Sequence, residues 1–534
     1  MYDGKQLWAP LIPLQMERCE VGGRAYDTYI GLPENLYAAL RRSAAVYPDK
    51  AAIVDDDGTE ITYRRFLEMV DCFAYRLRTE LGVQEGDHVA LMLYSGAAFC
   101  VSFLAAIKLG AVTLPLPSKF RRNEVLGLLE KSDARLIICD KDFAGWMEPL
   151  AAKGAKLFVT GHLAKDLETG SESGSIELQG ADSAAPVILM YTSGTTSLSK
   201  GVVLSNFNVM HAVETYRLLL GITPEDRTVI GVPIYHVTGL IALLSLFLFA
   251  GGTTYLHKRF DAKRILQCIM DHSITFMHGS PSAFTLLMKE KDAYPLLPSL
   301  RMVACGSSYM PKEKILAFHQ WLPATDFRTV YGMTETSSPA TVFPCNTAEN
   351  VYISSCGLPV PGLTVRISDG DGGELPEGQV GEVQMKGSVI LQEYYKLQTP
   401  ELSADGWLST GDMGYFNQEG YLFLVDRKKD MINRGGEKIC SYDVEHELYK
   451  LPGIEEAAVI GIPDDVYGEV AAAAVVWRGE AAMTEEVIQA RLLERMARYK
   501  IPVRILSVQH LPVTPNGKID KKEIRSWFSR GMER

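Results

Sequence analysis

The residues of this chain best suited to chemistry sit together in Tyr191-Thr-Ser-Gly-Thr-Thr-Ser-Leu-Ser-Lys-Gly-Val-Val-Leu-Ser205. Hydroxyl groups donate hydrogen bonds, a glycine lets backbone N–H groups come close to an oxygen, and Lys200 brings positive charge. The apolar run Pro186-Val-Ile-Leu-Met190 comes just before and predicts a buried strand. A strand that opens into a hydroxyl-rich loop with one lysine is an arrangement that holds a polyphosphate. The same composition also suits a polar surface loop, and these residues alone leave both readings open. Gly201 follows Lys200 where a Walker-type loop has Ser or Thr, so that class of phosphate loop is excluded.

Four further motifs follow in order: Tyr331-Gly-Met-Thr-Glu335, Ser409-Thr-Gly-Asp412, Asp426-Arg-Lys-Lys-Asp-Met-Ile-Asn-Arg-Gly-Gly-Glu-Lys-Ile439 and Pro515-Asn-Gly-Lys518. Each has a bland reading when taken singly. The first is a strand-end turn with a solvated glutamate, the second a common Thr-Gly-Asp turn, the third a solvated basic run. The fourth is a lysine on a tight Pro-Asn-Gly turn. His236, in Val232-Pro-Ile-Tyr-His-Val-Thr-Gly239, reads by itself as a packed histidine beside a buried helix.

In this order the five motifs resemble the adenylate-forming superfamily of acyl-CoA synthetases, luciferases and peptide-synthetase adenylation domains. The resemblance runs from about residue 35 to 525. It implies that a carboxylate is joined to the α-phosphate of ATP, pyrophosphate is expelled, and the acyl group passes to a thiol. Two anions meet in the first step, so charge neutralisation must dominate catalysis. By the same resemblance Thr192, Ser193, Gly194, Thr195, Thr196 and Lys200 hold the β- and γ-phosphates. In the second motif Tyr331, Gly332 and Met333 lead to Thr334 at the α-phosphate and Glu335 on a bridging Mg²⁺. Gly306, Ser307 and Ser308 match an adenine-side segment, while Asp412 and Arg427 match the two ribose contacts. Lys518 matches the lysine that bridges carboxylate and phosphate during adenylation. Lys429 matches a hinge about which the C-terminal domain turns between half-reactions. Arg434, Gly435, Gly436 and Lys438 would lie along the pantetheine arm and nucleotide end of CoA. His236 would gate the thiol tunnel or touch the carboxylate, so Lys518, Thr196, Glu335 and His236 form the expected catalytic group.

Two departures stand out. Ser197-Leu198-Ser199 replaces the family's Gly-x-Pro ahead of the lysine, and Ser307 stands where Gly or Ala is common. The extra bulk of Ser307 argues against a very long acyl chain. The uncharged candidates Val237, Thr238, Gly239, Ser307 and Met333 favour a fatty or aryl acid. Met333 replaces the proline expected of a peptide-synthetase domain, and His236 stands near its amine-binding aspartate, so CoA is the expected acceptor. A free-standing enzyme that loads a carrier protein is the alternative. Keeping Lys200, Glu335, Asp412, Arg427 and Lys518 together argues against a binding protein without catalysis.

These residues need a scaffold, and 534 residues exceed what one core supports. Short apolar runs alternate with amphipathic helices from residue 35 to 185 and again from Val229, predicting α/β subdomains with parallel sheets. Strands are expected at Lys50–Asp55, Asp87–Leu93, Val112–Leu116 and Arg135–Asp140, and helices at Asn35–Ala45 and Ala97–Leu109. A polar linker is expected over residues 166–185. Beyond Gly357, Gly- and Pro-rich turns between short alternating strands predict a small β-rich subdomain. The last hundred residues read as a mobile α+β domain, with a helix over Met483–Ala497. The expected division is an N-terminal adenylate-forming domain over 1–426, a hinge at 427–430 and a C-terminal lid over 431–534.

The net charge is −11 with no block of like charges, which argues against nucleic acid or an anionic membrane as partner. Nine scattered cysteines without a C-x-x-C pair suggest buried, reduced thiols in the cytoplasm rather than disulfides or zinc. The N-terminus shows no signal-peptide pattern. The most apolar stretch, Val237–Ala250, is 14 residues and reads as a buried helix too short to span a bilayer.

Overall fold

Residues 1–151, 154–160, 182–192, 199–370, 372–479, 482–514 and 518–529 are described by a computed structural model. The expected polar linker lies largely outside the described residues. The α/β expectation holds, with two largely parallel sheets side by side. The first orders its strands Glu393–Tyr394, Gly201–Ser205, Pro186–Tyr191, Val112–Pro115, His88–Met92, Ala134–Asp140 and Lys156–Thr160. Its core strands are parallel; the reversed Gly201–Ser205 pairs antiparallel with Pro186–Tyr191, so the Lys200 loop is a turn between neighbouring strands.

The second sheet runs Leu358–Pro359, Thr341–Val342, Asp326–Tyr331, Met302–Cys305, Phe276–Gly279, Arg227–Ile230, Thr253–Leu256, Ala51–Val54 and Glu60–Thr62. Ala51–Val54 forms as expected but sits between Glu60–Thr62 and Thr253–Leu256, some 200 residues away, and not in the sheet of the expected strands at His88–Met92, Val112–Pro115 and Ala134–Asp140. Wholly apolar parallel strands carry no mark of which sheet takes them, because both faces are covered in either sheet. The strands Phe276–Gly279, Met302–Cys305 and Asp326–Tyr331 end at the same edge, the carboxyl edge where open parallel sheets bind ligands.

The helix over 237–250 lies wholly in the core, with a π segment at Leu240–Ser245 where Ser245 Oγ donates to the Leu240 carbonyl at 2.7 Å. At about 1.5 Å per residue it spans roughly 21 Å, well short of a bilayer. Among the described residues no helix is long and apolar enough to cross a membrane.

A third, antiparallel sheet orders Tyr2–Asp3, Leu363–Ser368, Gly381–Gly387, Leu408–Phe416 and Leu422–Arg427. This is the β-rich subdomain, closed at one edge by the N-terminus, a partner that local patterning does not reveal. The C-terminal residues build their own sheet from Ile432–Arg434, Glu437–Ile439, Ile454–Asp464, Gly468–Trp477 and Arg504–Val508, with two cores of their own. The helix expected over Met483–Ala497 is shorter, Glu485–Leu493, and a 3₁₀ turn at Arg498–Lys500 follows it. No disulfide joins any of the nine cysteines; Cys345 is exposed and Cys19, Cys72 and Cys440 are half-buried, so the buried-thiol reading holds only for the other five.

Candidate active site

Antiparallel pairing sets the ribose-type pair. Asp412 and Arg427 lie directly opposite each other in the hairpin Leu408–Phe416/Leu422–Arg427. Arg427 Nε stands 2.9 Å from Asp412 Oδ1, and the Tyr331 hydroxyl donates to Asp412 Oδ2 at 2.6 Å. The spacing of 15 positions from Asp412 to Arg427 in sequence is therefore the length of a hairpin. Asp412 raises the Arg427 guanidinium above its ordinary value against the opposing effect of burial. Asp412 is thus the main charge partner of a cation that keeps its proton.

The strand Asp326–Tyr331 delivers the second motif. Gly332 is required there: a Cβ on it would fall 1.5 Å from the Ser338 carbonyl oxygen. A 3₁₀ turn over Thr334–Thr336 then buries Thr334 and Glu335. Burial raises the Glu335 carboxyl above its usual range, opposed by the Tyr394 hydroxyl, which donates to Oε1 at 3.1 Å, and by Lys518. The lysine of the first motif is anchored as well. Lys200 Nζ donates to Glu401 Oε1 at 2.6 Å and lies 5.1 Å from the centre of the Tyr394 ring. The Thr192 amide donates to the Lys200 carbonyl at 3.0 Å and closes the base of the loop. Ser193, Gly194, Thr195, Thr196 and Ser197 lie outside the described residues.

Lys518 reaches this site from the C-terminal residues. Its carbonyl accepts a hydrogen bond from the Thr514 amide at 2.7 Å. Burial pushes its ammonium down to about 8, assisted by Arg427 and resisted by Asp412 and Glu335. Burial likewise lowers Lys429, with Arg427 adding to the effect. His236 caps the 237–250 helix; burial, with Lys518 nearby, brings it down to about 4, so it is a neutral imidazole at neutral pH.

These groups meet at one cavity of about 710 Å³. Of the expected residues, Thr192, Lys200, His236, Gly306, Ser307, Gly332, Met333, Thr334, Glu335, Arg427, Lys429 and Lys518 line it. Asp412 and Tyr331 stand behind Arg427. Ser308 is exposed and outside the lining. Ser307 holds a left-handed φ of 70°, the region where glycine is at ease, and its hydroxyl lies 3.4 Å from Thr238 Oγ1.

Arg434, Gly435, Gly436 and Lys438 are not brought to the cavity. They form the hairpin Ile432–Arg434/Glu437–Ile439, where the Arg434 guanidinium packs 3.7 Å from the centre of the Tyr467 ring. Gly239 is also outside the lining, since a Cβ there would sit 2.4 Å from the Pro233 carbonyl oxygen. Sequence reasoning missed Tyr394 and Glu401, whose partners are 59 and 201 residues away. It also missed Tyr216, Tyr235, His278 and Ser338, which line the cavity and make its wall less apolar than expected.

Two family descriptions match the chain: AMP-binding enzyme over residues 40–395, and AMP-binding enzyme C-terminal domain over residues 443–518. The chain belongs to the AMP-binding enzymes. Among similar proteins of this family, the oxalate–CoA ligase of Arabidopsis thaliana is 31% identical, over 94% of this chain and 99% of that one. The feruloyl-CoA synthase of an Amycolatopsis species is 32% identical, over 91% and 98%. Among solved structures, ATP-bound MatB from Rhodopseudomonas palustris superposes with a TM-score of 0.85 at 28% identity, over 93% of this chain and 99% of that one. The o-succinylbenzoate CoA synthetase of Bacillus subtilis with its acyl-adenylate gives a TM-score of 0.80 at 27% identity, over 91% and 97%.

Proposed function

We infer that this AMP-binding enzyme is an AMP-forming acid–CoA ligase. A carboxylate oxygen of the acid attacks the α-phosphorus of ATP, the bond to the β-phosphate breaks, and pyrophosphate leaves. The CoA sulfur then attacks the acyl carbon and AMP leaves. Similar proteins across the family are CoA ligases and synthases, for acids as different as oxalate, sulfoacetate, ferulate and long-chain fatty acids. Loading of a carrier protein is not favoured by them.

The observation that carries the reading is the meeting of Lys200, Arg427, Lys429 and Lys518 with buried Thr334 and Glu335 at one cavity of a chain whose net charge is −11. A local set of cations inside an acidic protein selects an anionic ligand and places charge where the reaction develops it. In our reading Lys200 takes the outer phosphates, Thr334 the α-phosphate, and Asp412 with Arg427 the ribose. Lys518 bridges the acid and the α-phosphate. The site suits Mg²⁺ brought in with ATP, because that ion is commonly held by one or two carboxylates plus phosphate oxygens. Glu335 would hold it, and the ion would neutralise phosphate charge.

Residues 427–430 act as a hinge in this proposal, and residues 431–534 as a lid. The hairpin with Arg434, Gly435, Gly436 and Lys438 would approach the CoA arm after that lid turns, which accounts for its distance from the cavity here. The acid is fatty or aryl and uncharged beyond its carboxylate. Pyrophosphate release and thioester formation, measured with CoA and in parallel with a purified carrier protein, test the reading. Thioester on the carrier alone would overturn it.

A further inference from the structure

His278 is the last residue but one of the strand Phe276–Gly279, near the carboxyl edge of the second sheet, and it lines the cavity while only 2% exposed. Neither ring nitrogen has a hydrogen-bond partner among the described residues. A buried polar atom left unmet loses the hydrogen bonds it made to water, so two on one ring call for a partner. The Tyr235 hydroxyl lines the same cavity and is also buried without a partner among the described residues.

The surroundings restrict what that partner is. Burial, with His236 nearby, holds the His278 imidazole neutral, down to about 3. A neutral imidazole offers one donor and one acceptor. Its uncharged neighbours include the Tyr216 ring at 6.1 Å, edge-on, and Gly306, where an added Cβ would fall 3.6 Å from Nε2. The titratable group that acts on it is His236, itself a neutral imidazole influenced by Lys518. A second carboxylate at this depth would be buried without a cation, which is costly. A hydroxyl is both donor and acceptor and matches the imidazole. The rings of Tyr216, Tyr235, His236 and His278 line this part of the cavity and suit a flat aromatic body.

We propose that His278 is a specificity-determining residue that reads a hydroxyl group on an aryl acid, so that the enzyme's preferred substrates are hydroxylated aryl carboxylic acids. This rests on the acid–CoA ligase reading and narrows it. A purely structural His278 would pack against Tyr216 and leave substrate choice untouched.

The test compares wild type with His278→Phe, which keeps a ring but loses both polar atoms, and His278→Gln, which keeps a neutral donor and acceptor. Matched pairs of benzoic and cinnamic acids, with and without a ring hydroxyl, are scored by pyrophosphate release with ATP and CoA. Calorimetry with the corresponding acyl-sulfamoyl adenosines reads binding without turnover. Wild type is expected to favour the hydroxylated member by at least about tenfold in kcat/KM, the scale of one or more buried hydrogen bonds. His278→Phe is expected to reduce that preference below about threefold while keeping its melting temperature. His278→Gln is expected to keep most of the preference. Equal treatment of both acids by wild type, or undiminished discrimination in His278→Phe, overturns the proposal while the ligase reading stands. If no acid releases pyrophosphate, the ligase reading fails, and the calorimetric preference alone then decides for or against His278.

Discussion

Lys518 carries the sharpest consequences at the scale of single residues. If it bridges the acid and the α-phosphate, Lys518→Ala should lower acyl-adenylate formation by on the order of 10²- to 10³-fold. Supplied acyl-adenylate should still be converted to thioester; equal loss of both half-reactions, followed separately by pyrophosphate and thioester assays, would refute the role. The same side chain sets a pH dependence. A lysine needs its proton to be a cation, and burial brings its ammonium from 10.5 down to about 8. Its charge is therefore present below about 8 and lost as pH rises through that value. The kcat/KM of adenylation, which reports the free enzyme, should fall over that range. Lys518→Arg, with a group that stays protonated, should remove that fall even if its rate is lower. His236, neutral above about 4, should add no inflection near neutrality.

Pairs of elements decide how free those residues are. Lys200 is held by Glu401, from the segment after the edge strand Glu393–Tyr394, so an arriving phosphate must displace a carboxylate. Glu401→Gln should leave Lys200 with a weaker competitor and lower the KM for ATP several-fold; an unchanged or higher KM in steady-state kinetics would show that Glu401 supports ATP binding. The turn after Leu422–Arg427 is closed by the Asp430 amide, which donates to the Arg427 carbonyl at 2.9 Å, with Lys429 inside it. Proline at 429 fixes φ near −65° and removes the freedom a hinge needs. Lys429→Pro should impair thiol transfer far more than adenylation, and unchanged overall turnover would show that the position is no hinge.

Across the whole molecule, contacts join the C-terminal residues to the rest. Buried Asp426 accepts hydrogen bonds from the amide and hydroxyl of Ser441, the first residue of the helix Ser441–Tyr449. Tyr309 and Tyr442 stack at 5.3 Å, and Lys289 Nζ lies 2.8 Å from Glu455. If the C-terminal residues turn as the proposed lid, they must break such contacts, which would then bias the cavity toward adenylation. Asp426→Asn keeps the volume but weakens the bonds to Ser441. It should slow adenylation more than conversion of supplied acyl-adenylate; an equal effect on both would mean that Asp426 only stabilises the fold.

Five motifs carried the reaction class, because phosphate, ribose and metal recognition each demand particular side chains at short range, and those demands are written into contiguous residues. The strands and helices around them were legible for the same local reason: Ala97–Lys108 and Val112–Pro115 fall where apolar spacing placed them. The pairing of Ala51–Val54 with Thr253–Leu256, the capture of Lys200 by Glu401 and the burial of an unpartnered His278 were not legible. Each depends on groups brought together from distant parts of the chain. His278 looked like one more residue of a core strand. Only the tertiary structure sets it at the cavity wall, where no group among the described residues meets either nitrogen. The sequence by itself determined what the enzyme does to a carboxylate, because those groups are contiguous, and the packing of distant elements decided which side chains face that acid.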